Sequence, residues 1–438
     1  MHLKTKHKKI KLSGWARFPK FNTRIFEPVS KDELIKYIKN KNVIFRGNGR
    51  AYGDCAINKN LTVKMKNFNK ILSFNKKNGQ LVVESGAMLS DIIYNFLPKG
   101  WFLYVSPGTK FVTVGGMVAC DVHGKNHHSE GSFGKYIDWI DLIKPNGKLV
   151  RCSLKKNKKL FQMTVGGMGL TGVILNVAFK LRPVSTSWIK QKTFAAKNLK
   201  ETFDFFEKNL KSTYSVAWID CLSKNKKLGR SLVMLGEHAR PKDLKKKIEK
   251  FYIIKKNFFF FPVSFFSFFL NQFTIRIFNF LYFLNGLKNI GFKIINWDNY
   301  FYPLDRIENW NKIYGEKGFA QHQVAVPLEN SYQAIKEILQ LTSKSDCGPY
   351  LGVLKRLGDQ KSLFSFPMKG YTLTLDFPIS NKTLSLMKKL DNIVIKYNGR
   401  FYLAKESRLS REVFLKTEKR LTKFKNNLKI LNQNNKNF

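Results

Sequence analysis

Acidic residues are scarce in this chain. Against 78 Lys and Arg stand 30 Asp and Glu, leaving a formal net charge of +48 over 438 residues. The excess points to an anionic partner such as nucleic acid, an acidic membrane surface or a phosphorylated substrate. Compositional drift accounts for it equally well, because Lys, Asn, Ile and Phe are all heavily used. Cysteine is scarce too. Cys55, Cys120, Cys152, Cys221 and Cys347 are odd in number and form no CxxC pair. That excludes a disulfide scaffold, a zinc ribbon and a thioredoxin motif, and it suits a reducing compartment. Long apolar runs are missing. The most apolar stretch, Phe258 to Leu270, is shorter than the ~20 residues that span a bilayer, and Pro262 and Arg276 interrupt the wider segment 257–285. That segment reads either as buried core or as a loop lying on a membrane, where the surrounding lysines assist docking. The basic start, MHLKTKHKKIKLSGWARFPK, has no apolar core and no twin Arg, so a cytoplasmic location is expected.

What is present is a globular composition, 43% hydrophobic and 25% charged, enough for two or three domains or one bilobal unit. The first third alternates strand-like runs (NVIFR, LTVKM, QLVVESG, LYVSP) with Gly-rich turns. Ser30 followed by Glu33 predicts a helix start at SKDELIKYIKN, and AMLSDIIYNFL reads as a second helix. Strands and helices mix without strict βαβ alternation, so the expected fold class is α+β. After Pro183 the Gly-rich turns thin out, and strands such as YSVAWIDCL and HQVAVPL alternate with helices such as SYQAIKEILQLTS. The division expected is 1–186, then an inserted domain 187–399, then a return to the first domain over 400–438.

Three Gly-rich loops carry the chemistry. Gly167-x-Gly169-x-x-Gly172 has the letters of a dinucleotide fingerprint, but VILNVAFKL follows with strand alternation where that fingerprint must open a helix. No GxxxxGK[ST] exists, so a P-loop is not supported. FRGNGRAYGDC (Phe45–Cys55) and SPGTKFVTVGGMVACDVH (Ser106–His123) offer many main-chain N–H groups and little side-chain bulk. Such loops let the backbone approach a diphosphate, and two of them imply a long cofactor gripped from two sides. His123, His127 and His128 lie among glycines that break a helix and lack the Glu of HExxH, so no metal is expected.

Together RGNGRAYGD, SPGTKFVTVGGMVACDVHGKNHHSEGSFG, TVGGMGLTG, GFAQHQVAVP and GRFYLAKESR, in order from about Ser13 to Arg420, resemble the PCMH-type (vanillyl-alcohol-oxidase-like) FAD-binding domain. Within that group the chain is similar to the decaprenylphosphoryl-β-D-ribose 2′-oxidase family. The resemblance implies an FAD-binding body with an inserted α+β substrate domain. It implies that Arg46, Gly47, Asn48, Gly49, Arg50, Ala51, Tyr52, Gly53, Asp54 and Cys55 wrap the diphosphate and ribityl chain. Gly108, Thr113, Val114, Gly115, Gly116, Cys120, Asp121, Val122 and His123 would complete the cradle beside the isoalloxazine. The amides around Val173 and Ile174 would meet the adenine side, and Tyr402 would pack on the cofactor. Lys405, in the Y-x-A-K pattern, would sit near flavin and substrate. Gln321 and Gln323 would line the pocket, with Lys125 and Lys355 near the substrate's polar groups. Many relatives attach FAD through a His in the first loop; here Gly49-Arg50-Ala51 stands there, so noncovalent FAD is expected. Some members carry a pocket Cys where this chain has Thr374.

The implied reaction is oxidation of a polyprenyl-phosphate pentose at its 2′-hydroxyl, the first half of an epimerisation for cell-envelope arabinose. A short-chain reductase would act on the keto product, and such a substrate implies peripheral membrane contact. Either His123 or Lys405 is placed to take the hydroxyl proton. A cation near the flavin suits Lys405, and Lys125 and Lys355 suit a phosphate. Two rivals remain: an FAD-dependent oxidase of a soluble alditol or aldonolactone, and a basic nucleic-acid-binding protein that leaves the Gly-rich loops unexplained.

Overall fold

The computed structural model of the chain describes residues 8–39, 42–253 and 270–432. Of the Phe-rich segment, residues 257–269 lie outside the described residues.

The first body holds two sheets. Strands Lys8–Ser13, Lys20–Phe26, Leu61–Lys64 and Val43–Arg46 lie side by side in that order; the first pair is antiparallel and the others parallel. The helix Lys31–Ile38 makes the parallel crossover. It starts where Ser30 and Glu33 predict, with the Ser30 hydroxyl accepting from the Glu33 N–H at 3.2 Å. Its Leu34, Tyr37 and Ile38 bury against Phe26, Leu61 and Val63.

The second sheet runs Ile71–Asn75, Gln80–Glu84, Val173–Pro183, Ile137–Ile143, Leu149–Cys152, with Trp101–Leu103 on the far end of the long central strand. That strand leaves the third Gly-rich turn directly, so the turn opens a strand, as the alternation of VILNVAFKL predicts. A Cβ at Gly172 would lie 2.4 Å from the Ile143 carbonyl, and φ is +144°, so only glycine lets the strands close here.

The eight-stranded antiparallel sheet of the second body has the order Gly291–Asn296, Trp188–Ala196, Ser231–His238, Tyr214–Ile219, Leu351–Leu357, Gly370–Pro378, Phe319–Pro327, Arg400–Phe401. Helices Leu199–Lys208, Leu328–Lys344 and Asn381–Lys396 cover one face. There Ala320, Val324, Leu373, Leu375 and Leu354 pack on Ile335, Leu339, Met387 and Leu390. The other face of the same strands turns toward the first body.

The bodies interlock. Trp297, Tyr300, Phe301 and Tyr302, inside the expected 187–399 domain, pack across the seam, in one cluster with Phe102 and Leu103 of the first body and Ile189 and Tyr214 of the eight-stranded sheet. A buried Lys110–Asp298 ion pair crosses the seam, and Asp305 accepts from the Lys110 N–H (2.8 Å) and the Thr109 hydroxyl (3.1 Å). Arg400–Phe401 still belongs to the eight-stranded sheet. From Tyr402 onward the chain runs along the first Gly-rich loop and ends in helices Arg411–Thr417 and Leu421–Asn432.

Candidate active site

The first two Gly-rich loops meet at the seam. A Cβ at Gly47 would lie 2.1 Å from the Thr113 hydroxyl, and the Asn48 side-chain amide donates to the Phe111 carbonyl at 2.9 Å. Arg46 directs its buried guanidinium to the Ser13 and Ala56 carbonyls (2.8 and 3.4 Å), which shapes the loop from beneath. Arg50 lies over Trp15 at 3.8 Å, and its buried Nε has no hydrogen-bond partner. The main-chain N–H groups of Gly47, Asn48, Gly49 and Arg50 bond no other main-chain group among the described residues. Ala51 and Tyr52 carbonyls accept from Trp15 and Ala16, and the Tyr52 N–H donates to the Ala404 carbonyl at 2.9 Å. Thr113 caps the short helix Val114–Ala119 through Gly116, while Val114 and Gly115 donate to the Ala87 and Ser85 carbonyls. A Cβ at Gly108 would meet nothing within 4 Å.

Asp121 anchors the loop that carries His123. Its buried carboxylate accepts from Ser132 (2.7 Å), the Gly134 N–H (2.7 Å) and Gln360 (3.0 Å). His123 is thereby set among Tyr402 and Phe366, at ring separations of 5.3 and 5.5 Å, with its Nε2 3.3 Å from the Gln323 amide. His127 is engaged by Gln360 (3.2 Å) and the Gly358 N–H (3.1 Å), and His128 by the Ser212 carbonyl (2.7 Å).

The seam-facing side of the eight-stranded sheet supplies the rest by strict register. Gln321 faces Asp376, Gln323 faces Thr374, and Lys355 faces Thr372 across neighbouring strands. Because side chains alternate with period two, all of these share one face. The Gln321 amide donates to Asp376 Oδ1 at 2.6 Å. Lys405 comes in from the C-terminal return, with its N–H on the Tyr402 carbonyl (2.8 Å) and its Nζ 3.3 Å from the centre of the Tyr52 ring. Lys125 donates to the Tyr300 carbonyl and lies 4.3 Å from that ring's centre.

Burial tunes these groups. It lowers Lys405 to about 7, with Lys355 adding to the effect and Asp376 opposing it. Lys125 is lowered to about 7 and Lys355 to about 8. His123 is driven well below the ordinary histidine range by burial, helped by Lys355, His127 and Lys405, and so is neutral. Asp376 is raised to about 6 by burial. Cys120 is pushed up to about 12 and Cys55 is raised as well, so both thiols stay protonated.

The structure thus brings together Tyr52, His123, Lys125, Gln321, Gln323, Lys355, Thr374, Tyr402 and Lys405 at the seam, beside the Gly47–Cys55 and Gly108–Gly116 loops. Asp54 is exposed, with its carbonyl accepting from Ile57, and Val122 is core. Val173 and Ile174 pair with Ile143 and Leu142 inside the second sheet, and both side chains are buried. Sequence reasoning missed Asp376, Thr372 and Tyr300. Asp376 was legible in principle: it is the one charged residue in GYTLTLDFP and shares parity with Thr374.

The loops fit a flavin dinucleotide. Unengaged N–H groups, an open space at Gly108, and the unpartnered buried Arg50 Nε, His123 Nδ1, Gln321 Oε1 and Asp376 Oδ2 mark a cleft built around a polar ligand. No histidine stands in the first loop, so the flavin of the purified protein is expected to pass into the supernatant on acid precipitation. Flavin retained in the pellet would contradict this.

Residues 23–153 match the model of the FAD binding domain family. The decaprenylphosphoryl-β-D-ribose oxidase of Mycolicibacterium smegmatis is 32% identical over 92% of this chain and 90% of its own length. The L-gulonolactone oxidase of Bos taurus is 27% identical over 47% of this chain and 48% of its own, and a D-lactate dehydrogenase of Anaerostipes hadrus is 27% identical over 32% and 31%. The chain therefore belongs to the decaprenylphosphoryl-β-D-ribose oxidase family of FAD-dependent oxidoreductases that act on CH–OH groups.

Proposed function

We propose that the chain oxidises the 2′-hydroxyl of a polyprenyl-phosphate pentose to the 2′-keto sugar, with β-D-ribose as the favoured pentose. A separate short-chain reductase, consuming the keto product, would complete an epimerisation toward cell-envelope arabinose at a membrane surface. The observation that carries this reading is the convergence of three half-buried lysines, Lys125, Lys355 and Lys405, on one polar cleft. A neutral sugar needs no such concentration of positive charge, whereas a phosphorylated one does. The likeness to the M. smegmatis oxidase also extends through both bodies, substrate side included. The likeness to L-gulonolactone oxidase covers under half of the chain. A soluble-lactone oxidase is therefore the weaker reading.

FAD, when bound, supplies the hydride acceptor. The chain's residues do the rest. Near neutral pH Lys405 is partly unprotonated and so able to accept the hydroxyl proton; the ammonium formed is stabilised by Asp376 and by the Tyr52 ring. Neutral His123 is a poor proton acceptor, because its imidazolium would be buried among lysines, and it suits a hydrogen-bonding role beside Gln323. A phosphate beside Lys125 and Lys355 would draw both toward the charged form and so be held by two cations. Gln321, Gln323 and Thr374 present donors and acceptors to the sugar.

The test is polyprenylphosphoryl ribose deuterated at C2′. A primary isotope effect on flavin reduction, with a 2′-keto product, is expected. An effect only with deuterium at another carbon would overturn the reading.

A further inference from the structure

The helix Gln272–Leu287 reverses the usual amphipathic arrangement. Its buried residues are Ile275, Asn279 and Gly286, one stripe that seats the helix on the eight-stranded sheet. Asn279 donates to Asp220 at 2.9 Å, and Gly286 lies against Leu232 so closely that a Cβ there would be 2.2 Å away. On the opposite, solvent side Phe273, Ile277, Phe280, Leu281, Leu284 and Leu287 recur at i, i+4, i+7, i+8, i+11 and i+14. All six are exposed, Phe273 at 70% and Leu281 at 56%. Ile290 and Phe292, on and beside the neighbouring edge strand, extend the patch at 55% and 68% exposed. Soluble monomers rarely leave so continuous an apolar surface in water.

The charge around the patch has one dominant sign. The helix carries no Asp or Glu, and Arg276 is its single charged residue. Lys288 and Lys293 flank its C-terminal end, and Lys192 reaches to 5.1 Å from the Phe292 ring. Along the other side runs a shallow open groove lined by Phe280, Arg276, Arg230, Lys224 and Lys227, with Asp220 at its base. Asp220 is committed to Arg230 (2.8 Å) and Asn279, and Lys224 and Lys227 are exposed.

We infer that this face is a docking surface for an anionic bilayer. The Phe273–Leu287 stripe enters the acyl boundary, and the exposed Lys224 and Lys227 of the groove receive lipid phosphates, while Arg276 is held by the Leu222 and Ser343 carbonyls at 2.9 and 3.3 Å. Charge complementarity selects this occupant, since an apolar stripe rimmed by cations matches acyl chains beneath anionic headgroups. No helix among the described residues is long and apolar enough to cross a membrane, and 16 residues at about 1.5 Å each give ~24 Å, so the helix lies in the interface plane. The inference rests on the proposed lipid-linked substrate for its purpose, but its test needs no substrate.

The experiment is flotation of the full flavin-loaded protein with phosphatidylcholine vesicles, with and without phosphatidylglycerol. Binding is expected only with phosphatidylglycerol and should weaken as ionic strength rises. Phe273→Ser combined with Phe280→Ser and Leu284→Ser should lower partitioning on the order of 100-fold. Flavin content, and the flavin's reduction by a detergent-solubilised substrate, should not change. Lys224→Gln with Lys227→Gln should remove the salt sensitivity in part. Wild type that ignores anionic vesicles overturns the inference, as does binding that the triple variant leaves unchanged. A concentration-dependent dimer that the triple variant abolishes, without vesicle binding, assigns the face to a second copy instead. A monomer indifferent to vesicles whose Tm the three serines lower assigns the cover to the chain's own residues 254–269. Loss of substrate turnover with vesicle binding intact would count against the substrate reading alone.

Discussion

Lys405→Met lowers the rate of substrate-driven flavin reduction by on the order of 10³-fold while the purified protein keeps its flavin, as expected when a positioned base is removed. Retention follows because the Lys405 side chain is spent on the Tyr52 ring, while the unengaged N–H groups offered to the cofactor belong to the main chain of Gly47 to Arg50. Lys405→Arg does not rescue the rate, since a guanidinium restores the charge and cannot give up its proton. Full activity in the Arg variant would show that charge alone matters. The pH profile separates the cases further. The neutral amine is the active form, so kcat/KM rises with pH through the value of Lys405, about 7. Asp376 raises that value by favouring the ammonium. Asp376→Asn should therefore move the acidic limb to lower pH. A limb that stays put in Asp376→Asn would assign the titration to another group.

Gly53→Ala costs on the order of 4 kcal/mol and prevents flavin retention. A Cβ at Gly53 would lie 2.0 Å from the Glu406 carbonyl oxygen and 2.9 Å from its carbon, both main-chain atoms. Gly14 meets the Gly53 carbonyl just as closely, at 2.1 Å from its own built Cβ. Three backbone segments from the two ends of the chain are thus stacked with no room for a methyl group. The Tyr52 N–H to Ala404 carbonyl bond must break for the loop to withdraw, and Lys405 goes with it. Gly108→Ala is the control. Its Cβ meets nothing within 4 Å, so stability should stay within about 0.5 kcal/mol, with flavin affinity reduced if the cofactor occupies that space. Thermal unfolding and flavin absorbance read both variants; a stable, yellow Gly53→Ala protein would contradict the account.

The elements with local signals were legible. Ser30 and Glu33 set a helix start, the alternation of VILNVAFKL identified a strand after the third Gly-rich turn, and the two cradle loops announced themselves by composition. The cleft's far wall was less so. Gln321 and Gln323 entered through family likeness, because two amides in an apolar run carry no period of their own. Their meaning arises only when the register sets them opposite Asp376 and Thr374. Asp376 escaped for the same reason: its partners lie 55 residues away in Gln321 and beyond the domain return in Lys405. The aromatic rings of the Trp297–Tyr302 segment bury across the seam, against Phe102 and Leu103 on one side and Tyr214 on the other, a tertiary preference that no local pattern announces. The Phe-rich segment was read as core or as membrane loop. Its described part is a helix rather than a loop, and its apolar stripe is exposed rather than buried in a core.

The most direct measurement is anaerobic reduction of the bound flavin, followed by absorbance, with a short-chain polyprenylphosphoryl-β-D-ribose set against L-gulonolactone and a free alditol. Rapid bleaching by the phosphoryl ribose is expected, and none by the two soluble sugars at equal concentration. Bleaching by the lactone or alditol, with the phosphoryl ribose inert, would contradict the proposed reaction.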